Sequence, residues 1–232
     1  MLLMARPPIM ARPPIMSRPT IIALVGIDGA GKTTHATWLA QWLSEQGVPA
    51  AYFENPGGRR VLGVMARKVG REDGASLLGR TGYLVVEASV RWMAIARALL
   101  SARLTGRVAV MDRYSYCQYA MMSARGDRGH RLVRAWYAMF PVPDLVCFLA
   151  VAPKDAELRV RQRGIDHEDP AYLHQLDQAY RSLPEFAVFE IIDASGPSAS
   201  LKTALAAQMT RVPLQRRAAD PDGRGRPGPP AT

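Results

Sequence analysis

Residues 26–33 (GIDGAGKT) constrain the fold of this chain more than any other part of the sequence, because they match the pattern G-x-x-x-x-G-K-[ST]. Before them, residues 20–25 (TIIALV) are almost wholly apolar, which predicts a strand covered on both faces. After them, residues 32–46 carry apolar side chains at helical spacing, and Gly47 ends the helix. A strand, a glycine-rich loop and a helix in this order are the context in which the pattern binds phosphate.

The residues of this loop have distinct expected roles. The glycines allow backbone N–H groups to turn inward around phosphate oxygens at the positive end of a helix dipole. Lys32 is expected to reach the β- and γ-phosphates of a nucleoside triphosphate, and the Thr33 hydroxyl is expected to bind Mg²⁺. Asp28 is expected to hold a Mg²⁺-bound water or to order arginines around the acceptor, the alternative being a solvated loop acid. The predicted nucleotide-binding residues are Gly26, Gly29, Ala30, Gly31, Lys32, Thr33 and Thr34.

The rest of the chain alternates between strand and helix patterns. Further strands are predicted at residues 48–53, 107–111, 145–151 and 188–192, with helices at 76–104 and 198–209. Five β segments separated by helices imply one α/β domain, a parallel sheet with helices on both faces, over residues 20–211. Residues 1–19 repeat the unit Met-Ala-Arg-Pro-Pro-Ile, and residues 212–232 are rich in Arg, Pro, Gly and Asp, so both ends are expected to be disordered.

Charge and composition limit the classes of partner. Much of the net charge of +10 lies in the two ends, and the modest excess left in the domain suits polyphosphate anions, so nucleic acid is not expected as a partner. No apolar run approaches the roughly 18 residues of a membrane span, so no membrane partner is expected. Cys117 and Cys147 have no partner at metal-ligand spacing, which favours buried reduced thiols and a cytoplasmic location.

A second acidic residue is expected near the loop, because a phosphoryl-transfer site needs another acid to fix its metal ion. Asp112 follows the apolar strand at 107–111 and is succeeded by Arg113 and Tyr114. The carboxyl end of a strand faces the crevice in which parallel α/β sheets bind ligands. Arg113 supplies a planar guanidinium that can bind two phosphate oxygens at once, although a surface salt bridge is the alternative for this pair.

Five separated blocks follow one another along the chain: residues 26–34 (GIDGAGKTT), Pro56-Gly57-Gly58 with the later Gly63 and Arg67, Asp112-Arg113-Tyr114, Pro143-Asp144-Leu145, and Ile192-Asp193-Ala194-Ser195. In these blocks and in their order the chain resembles the thymidylate kinase family over residues 20–205. The resemblance implies a P-loop NTPase-type three-layer α/β fold, in which a five-stranded parallel sheet has helices on both faces and a short lid at about residues 159–170. It also implies transfer of the γ-phosphoryl group of ATP to dTMP, with Mg²⁺.

The resemblance implies roles for individual residues. Arg67 stands where the family uses an arginine on the acceptor phosphate. Residues 157–164 (ELRVRQRG) resemble the start of the lid, where Arg159 and Arg163 fall on one helical face and are expected to contact the triphosphate. The expected catalytic residues are Lys32, Asp28, Arg113, Arg163 and Arg159; the expected substrate-binding residues are Arg67, Asp112, Arg113, Tyr114, Gln118 and Arg91; and the expected metal ligands are Thr33, Asp112 and Asp28.

The sequence departs from the family mainly where the base is recognised. Glu54-Asn55 stand where the family often has Arg-Glu, and the helix at residues 84–91 (LVVEASVR) lacks the family's Asp-Arg pair. Arg91 is expected to substitute for that pair, and Gln118 to bond a pyrimidine edge. Three alternatives stay open: a kinase of the same fold for another acceptor, a non-catalytic nucleotide-binding protein, and a protein that binds nucleic acid through its two basic ends. The apolar helix at residues 85–99 could support the two-fold dimer that the family usually forms.

Overall fold

The computed structural model describes residues 18–58, 74–163 and 169–214, with the side chains of 74–77 and 163 left out. Within these ranges the strands form one sheet, all of whose pairings are parallel, in the order β2-β3-β1-β4-β5. The parallel α/β sheet predicted from the sequence is therefore confirmed. The strands are β1 (Ile21–Val25), β2 (Ala50–Glu54), β3 (Val108–Asp112), β4 (Leu145–Ala150) and β5 (Glu190–Asp193).

Seven α-helices surround this sheet in the described ranges. The longest, α2, contains a break at Gly79, where φ is 70° and ψ is 162°. There are also two 3-10 helices in these ranges. Pro184–Val188 precedes β5, and Met209–Arg211 follows the last α-helix. The helices are α1 (Lys32–Glu45), α2 (Gly74–Thr105), α3 (Ser115–Arg125), α4 (His130–Tyr137), α5 (Pro153–Arg163), α6 (Pro170–Arg181) and α7 (Ser198–Gln208).

The last strand lies slightly later in the chain than its pattern predicted. Residues 188–192 were expected to be extended, but a 3-10 helix that begins at Pro184 runs through Val188. Proline is favoured in the first turn of a helix because its φ is already fixed near the helical value, and the 3-10 helix that begins there includes Val188, the first residue of the predicted strand. The strand itself is Glu190–Asp193.

The centre of the sheet forms the core of the molecule. Every residue of β1 and of β3 is buried, as expected for strands covered by helices on both faces. On α1, the residues Ala36, Leu39 and Leu43 are buried against the sheet at helical spacing. The prediction that this segment forms a helix with one apolar face is therefore confirmed.

The register of the strands brings three carboxyl ends to one edge of the sheet. Leu24 of β1 pairs with Asp112 of β3, which in turn pairs with Glu54 of β2. Because parallel strands all end at the same edge, the loops after β1, β2 and β3 lie side by side there. Within the described ranges, no helix is both long and apolar enough to cross a membrane.

Candidate functional site

The loop between β1 and α1 has the backbone conformation that its glycines predict. Gly26, Gly29 and Gly31 all have positive φ. At Gly29, where φ is 87°, an added Cβ would lie 2.3 Å from the carbonyl oxygen of Ala156 in α5. That distance leaves no room for a side chain, so α5 can pack directly against the outside of the loop.

Three charged side chains meet at this loop. Lys32 Nζ donates to the carbonyl oxygen of Ile27 at 2.7 Å and to Asp28 Oδ1 at 3.3 Å. Arg113 Nη2, which reaches the loop from the end of β3, donates to the same oxygen of Asp28. Asp28 therefore lies between two cations, and its own charge orders the guanidinium of Arg113 beside the phosphate loop. This contact favours the role of ordering arginines over direct metal ligation for Asp28.

The pKa values of these groups follow from the same contacts. Burial alone would raise the pKa of Asp28, but the charges of Arg113 and Lys32 outweigh it and hold this pKa well below its ordinary value. Burial, followed by repulsion from Arg113, lowers the pKa of Lys32. Burial would also lower the pKa of Arg113, but the attraction of Asp28 outweighs it and raises that pKa. Asp28 is consequently an anion, and Arg113 a cation, at neutral pH.

Arg113 has an unusual backbone conformation, and Asn55 holds it in place. Its φ of 76° makes it the only non-glycine residue with positive φ in the described part of the chain. Its N–H donates to the Leu24 carbonyl at 3.1 Å, and its carbonyl accepts from Asn55 Nδ2 at 2.7 Å. The backbone N–H of Asn55 donates to the Asp112 carbonyl at 3.1 Å. Left-handed backbone at a residue with a Cβ is unfavourable, and such strain clusters at functional sites.

Asp112 and Thr33 form a set of oxygen ligands next to the loop. Thr33 Oγ1 donates to Asp112 Oδ2 at 2.5 Å, and the Tyr52 hydroxyl donates to the same oxygen at 3.3 Å. The other carboxylate oxygen, Asp112 Oδ1, is buried without a hydrogen-bond partner among the described residues. Mg²⁺ prefers such hard oxygen ligands, and it usually takes one or two from the protein and the others from phosphate and water. These residues therefore fit a Mg²⁺ ion.

Arg91 and Gln118 come together in a buried cluster beside Asn55. Arg91 is 2% exposed, and its Nε donates to Gln118 Oε1 at 3.1 Å. Its Nη1 donates to the carbonyl of Asn55 at 3.2 Å, and its Nη2 to Met121 Sδ at 3.5 Å. A Cβ added to Gly57 would lie 2.6 Å from Arg91 Nη2. The glycine next to Pro56 therefore allows the backbone at Gly57 to lie directly against the guanidinium.

A buried carboxylate, that of Glu87, is hydrogen-bonded to this cluster. Glu87 is fully buried, and Gln118 Nε2 donates to its Oε2 at 3.3 Å. Arg125 donates to both oxygens of Glu87, at 3.2 and 2.5 Å, and its Nε donates to Asp127 at 2.8 Å. Arg80 Nε donates to the other oxygen of Asp127 at 2.9 Å. A buried carboxylate is tolerated only when it is paired and hydrogen-bonded, and Arg125 satisfies this condition for Glu87.

Not all the predicted site residues join this arrangement. Arg159 donates from Nη1 to the Ala194 carbonyl at 2.9 Å and from Nη2 to the Ser195 carbonyl at 3.2 Å. The Tyr114 ring is buried in the core, and its hydroxyl donates to the Pro141 carbonyl at 2.7 Å. Arg67, the Arg163 side chain and lid residues 164–168 lie outside the described residues. Residues 1–17 and 215–232, most of the two ends expected to be disordered, also lie outside them.

Two residues of the cluster, Asn55 and Glu87, were not predicted from the sequence to be part of the site. Asn55 stands where the resemblance led us to expect glutamate, and that departure was the available signal. Glu87 is an isolated acid between Val86 and Ala88 in an apolar stretch, and an acid that faces the core must find a cation. The identity of its partner, Arg125, depends on how α2 and α3 pack and could not be read from spacing.

Comparison with known proteins gives one consistent result. The sequence model of the thymidylate kinase family matches residues 24–205. A probable thymidylate kinase of Archaeoglobus fulgidus is 32% identical over 184 residues, which cover 78% of this chain and 90% of that protein. A thymidylate kinase of Chromobacterium violaceum is 28% identical over 203 residues, which cover 82% of this chain and 93% of that protein.

The site defines the class of protein. P-loop proteins of the nucleotide-binding α/β class have a glycine-rich loop between a buried strand and a helix, and a lysine, a threonine and a strand-end aspartate lie around that loop. The five-stranded parallel sheet agrees with this class. Because the family match spans most of the chain, the chain belongs to the thymidylate kinase family.

Proposed function

We propose that this chain is a nucleoside monophosphate kinase that transfers the γ-phosphoryl group of ATP to dTMP and forms dTDP. The observation that carries the proposal is the contact of Arg113 with Asp28 of the phosphate loop in a chain of this family. A protein that merely bound ATP would have no need for a strained arginine held beside the loop. The acceptor, dTMP, is taken from the family, whose members named above are thymidylate kinases.

The reaction requires charge neutralisation more than proton transfer. A phosphate monoester has a second pKa near 6, so it is mostly ionised at pH 7 and attacks without a general base. Two anions must be held in line against their mutual repulsion, which positioned cations reduce. Lys32 is assigned to the β- and γ-phosphates of ATP, and Arg113 to the phosphoryl group between donor and acceptor. Asp28 keeps Arg113 in that place.

Mg²⁺ would be held by Thr33 and Asp112. Their oxygens already lie in contact, and the second carboxylate oxygen of Asp112 has no partner among the described residues. When bound, the ion neutralises charge on the phosphates. The ordinary role of Thr33 in a phosphate loop supports this assignment.

The acceptor is assigned to the side of the loop on which the Arg91 cluster lies. Among the described residues, Arg91 bonds through three of its five N–H groups, to Gln118, Asn55 and Met121, and its other N–H groups are assigned to an acceptor nucleotide. Both polar ends of Gln118 are engaged, by Arg91 and Glu87, so Gln118 is assigned to orienting Arg91 and not to direct base contact. Arg67 is assigned to the acceptor phosphate and Arg163 to the triphosphate, as the resemblance implies. Arg159 is assigned to the lid side of the ATP site.

The proposal includes a two-fold dimer and a cytoplasmic location. On α2, four apolar side chains that are more than half exposed, Val85, Met93, Leu100 and Leu104, recur along the helix and would be covered in a two-fold dimer. Light scattering of the purified chain at micromolar concentration would give twice the chain mass if this is right, and the single mass if it is not. A cytoplasmic location is supported by Cys117 and Cys147, which are buried free thiols.

Product analysis tests the activity directly. The chain, incubated with ATP, Mg²⁺ and dTMP, should convert dTMP to dTDP as measured by anion-exchange chromatography. Lys32→Ala should lower the rate by at least about a hundredfold, the typical cost of removing one transition-state cation. Lys154→Ala, at an exposed lysine of α5, is the matched control and should leave the rate unchanged. Absence of dTDP from the unsubstituted chain would refute the proposal.

A further inference from the structure

His35 connects the phosphate loop to a distant part of the chain. It lies in the first turn of α1, is 6% exposed, and contacts polar groups with both ring nitrogens. Its Nδ1 lies 2.9 Å from the Gly31 carbonyl oxygen, and its Nε2 lies 3.2 Å from Ser198 Oγ at the start of α7. The second contact joins residues 163 positions apart.

The chemistry of these partners determines the direction of both hydrogen bonds. A carbonyl oxygen can only accept, so Nδ1 must carry the proton and donate to Gly31. In the neutral ring Nε2 is then an acceptor, and the Ser198 hydroxyl donates to it. Neither ring nitrogen is left over for chemistry, which argues against a role in proton transfer.

The bond to Gly31 has a consequence for phosphate binding. The Gly31 carbonyl accepts from the backbone N–H of His35 at 3.0 Å as well as from Nδ1, so one residue holds it twice. The Gly31 carbonyl and the Lys32 N–H belong to the same planar trans peptide and point in opposite directions. When His35 holds the carbonyl along α1, it therefore turns the Lys32 N–H toward the interior of the loop, where phosphate oxygens bind.

Ser198 connects the His35 ring to the start of α7. The segment before α7 is also held by Arg159, which donates to the carbonyls of Ala194 and Ser195. Arg159 belongs to α5, whose Ala156 carbonyl lies against Gly29 of the phosphate loop. The loop is thus held from two sides: by α5 at Gly29, and through His35 and Ser198 at Gly31.

We propose that His35 is a positioning residue for ATP: it fixes the direction of the Lys32 backbone N–H in the phosphate loop, and Ser198 holds its ring in place. This inference rests on the proposed function only in taking ATP as the ligand. An N–H that contacts the triphosphate equally in the ground state and in the transition state changes the KM for ATP and not kcat. The effect is therefore distinct from that of Lys32, whose side chain acts on kcat.

The test compares variants that remove one hydrogen bond at a time. His35→Phe removes both bonds and should raise the Kd for MgATP, measured by calorimetry, about tenfold, the value of roughly one buried hydrogen bond. The KM for ATP should rise in parallel, while kcat and the KM for dTMP stay within about threefold. His35→Asn keeps a donor near the Nδ1 position and should restore most of the affinity, whereas His35→Gln places its amide near Nε2 and should not.

Two further variants separate positioning from general destabilisation. Ser198→Ala should weaken MgATP binding less than His35→Phe, and the double variant should be no worse than His35→Phe alone, because the two residues act through one contact. Tyr137→Phe removes a buried hydrogen bond to the Ala88 carbonyl, away from the phosphate loop, and should lower stability without changing the Kd for MgATP. If Tyr137→Phe weakens MgATP binding as much as His35→Phe, the inference is overturned.

The outcomes distinguish this inference from the proposed function. Loss of MgATP affinity in His35→Phe and His35→Gln, restored in His35→Asn, supports the inference even if the unsubstituted chain does not use dTMP. Normal turnover of dTMP together with unchanged MgATP affinity in His35→Phe overturns the inference and leaves the function standing. If His35→Phe does not fold, the inference is tested by comparing His35→Asn with His35→Gln. Equal affinity of these two variants for MgATP overturns the inference.

Discussion

Arg113 allows a test that separates the effect of its backbone conformation on stability from the effect of its guanidinium on activity. Its φ of 76° should make glycine more stable than alanine at this position, although neither can supply the guanidinium. A Cβ in left-handed backbone costs about 1–2 kcal/mol, so glycine should stabilise the folded chain by that amount relative to alanine. The extra conformational freedom of glycine in the unfolded chain offsets about 0.5–1 kcal/mol of this stabilisation. Arg113→Gly should thus exceed Arg113→Ala in unfolding free energy by about 0.5–1 kcal/mol, or about 2 °C in Tm for a domain of this size.

The control for this comparison is a residue with ordinary helical backbone. Ser123 is exposed within α3, so Ser123→Gly should be less stable than Ser123→Ala by about 1 kcal/mol, the reverse of the order at position 113. Both pairs would be measured by differential scanning calorimetry. Both Arg113 variants should lose at least about a hundredfold in kcat, because both lack the cation. An Arg113→Ala chain that is as stable as Arg113→Gly would refute the claim that the site holds this residue in strained backbone.

Three other outcomes follow from the site. Asn55→Asp, which replaces the donor to the Arg113 carbonyl with an acceptor, should cost about 1–3 kcal/mol in urea unfolding and lower kcat; unchanged values would contradict the role of Asn55. Gly57→Ala should displace Arg91 and raise the KM for dTMP but not for ATP, whereas Gly196→Ala, which has open space around it, should change neither. Because the pKa of Asp28 is lower in the folded chain, its contribution to stability is present above pH 4 and is lost as pH falls toward the folded pKa. Below pH 4 the unsubstituted chain should therefore lose stability faster than Asp28→Asn, by roughly 1 kcal/mol per pH unit in acid titrations followed by circular dichroism; parallel curves would contradict the ion pair.

The sequence predicted the elements whose causes are local. The strand before the phosphate loop is almost wholly apolar because β1 is buried on both faces, and the loop needs glycine where φ is positive. Asp112 could be predicted from its position after an apolar strand, since all parallel strands end at one edge of the sheet. The start of β5 was less predictable, because Val188, which was expected to begin the strand, is instead the last residue of a 3-10 helix.

The contacts that complete the site are long-range and could not be predicted. Asn55 bonds to Arg113, 58 positions later, and His35 contacts Ser198 across most of the chain. Such pairs depend on strand order and helix packing, which spacing along one sequence does not encode. Gln118 shows the same limit: the contacts of its amide with Arg91 and Glu87 depend on how the helices pack, and its position in the sequence did not predict them.

In the proposed reaction, two phosphate-bearing nucleotides meet between the phosphate loop and Arg113, and the acceptor is dTMP. A coupled assay of kcat/KM with ATP and Mg²⁺, using dTMP, dUMP, dCMP, dGMP and dAMP as acceptors, tests it most directly. The value of kcat/KM should be highest with dTMP, and chelation of Mg²⁺ should cause a large loss of turnover. A higher kcat/KM with another acceptor, or no turnover with any of them, would contradict it.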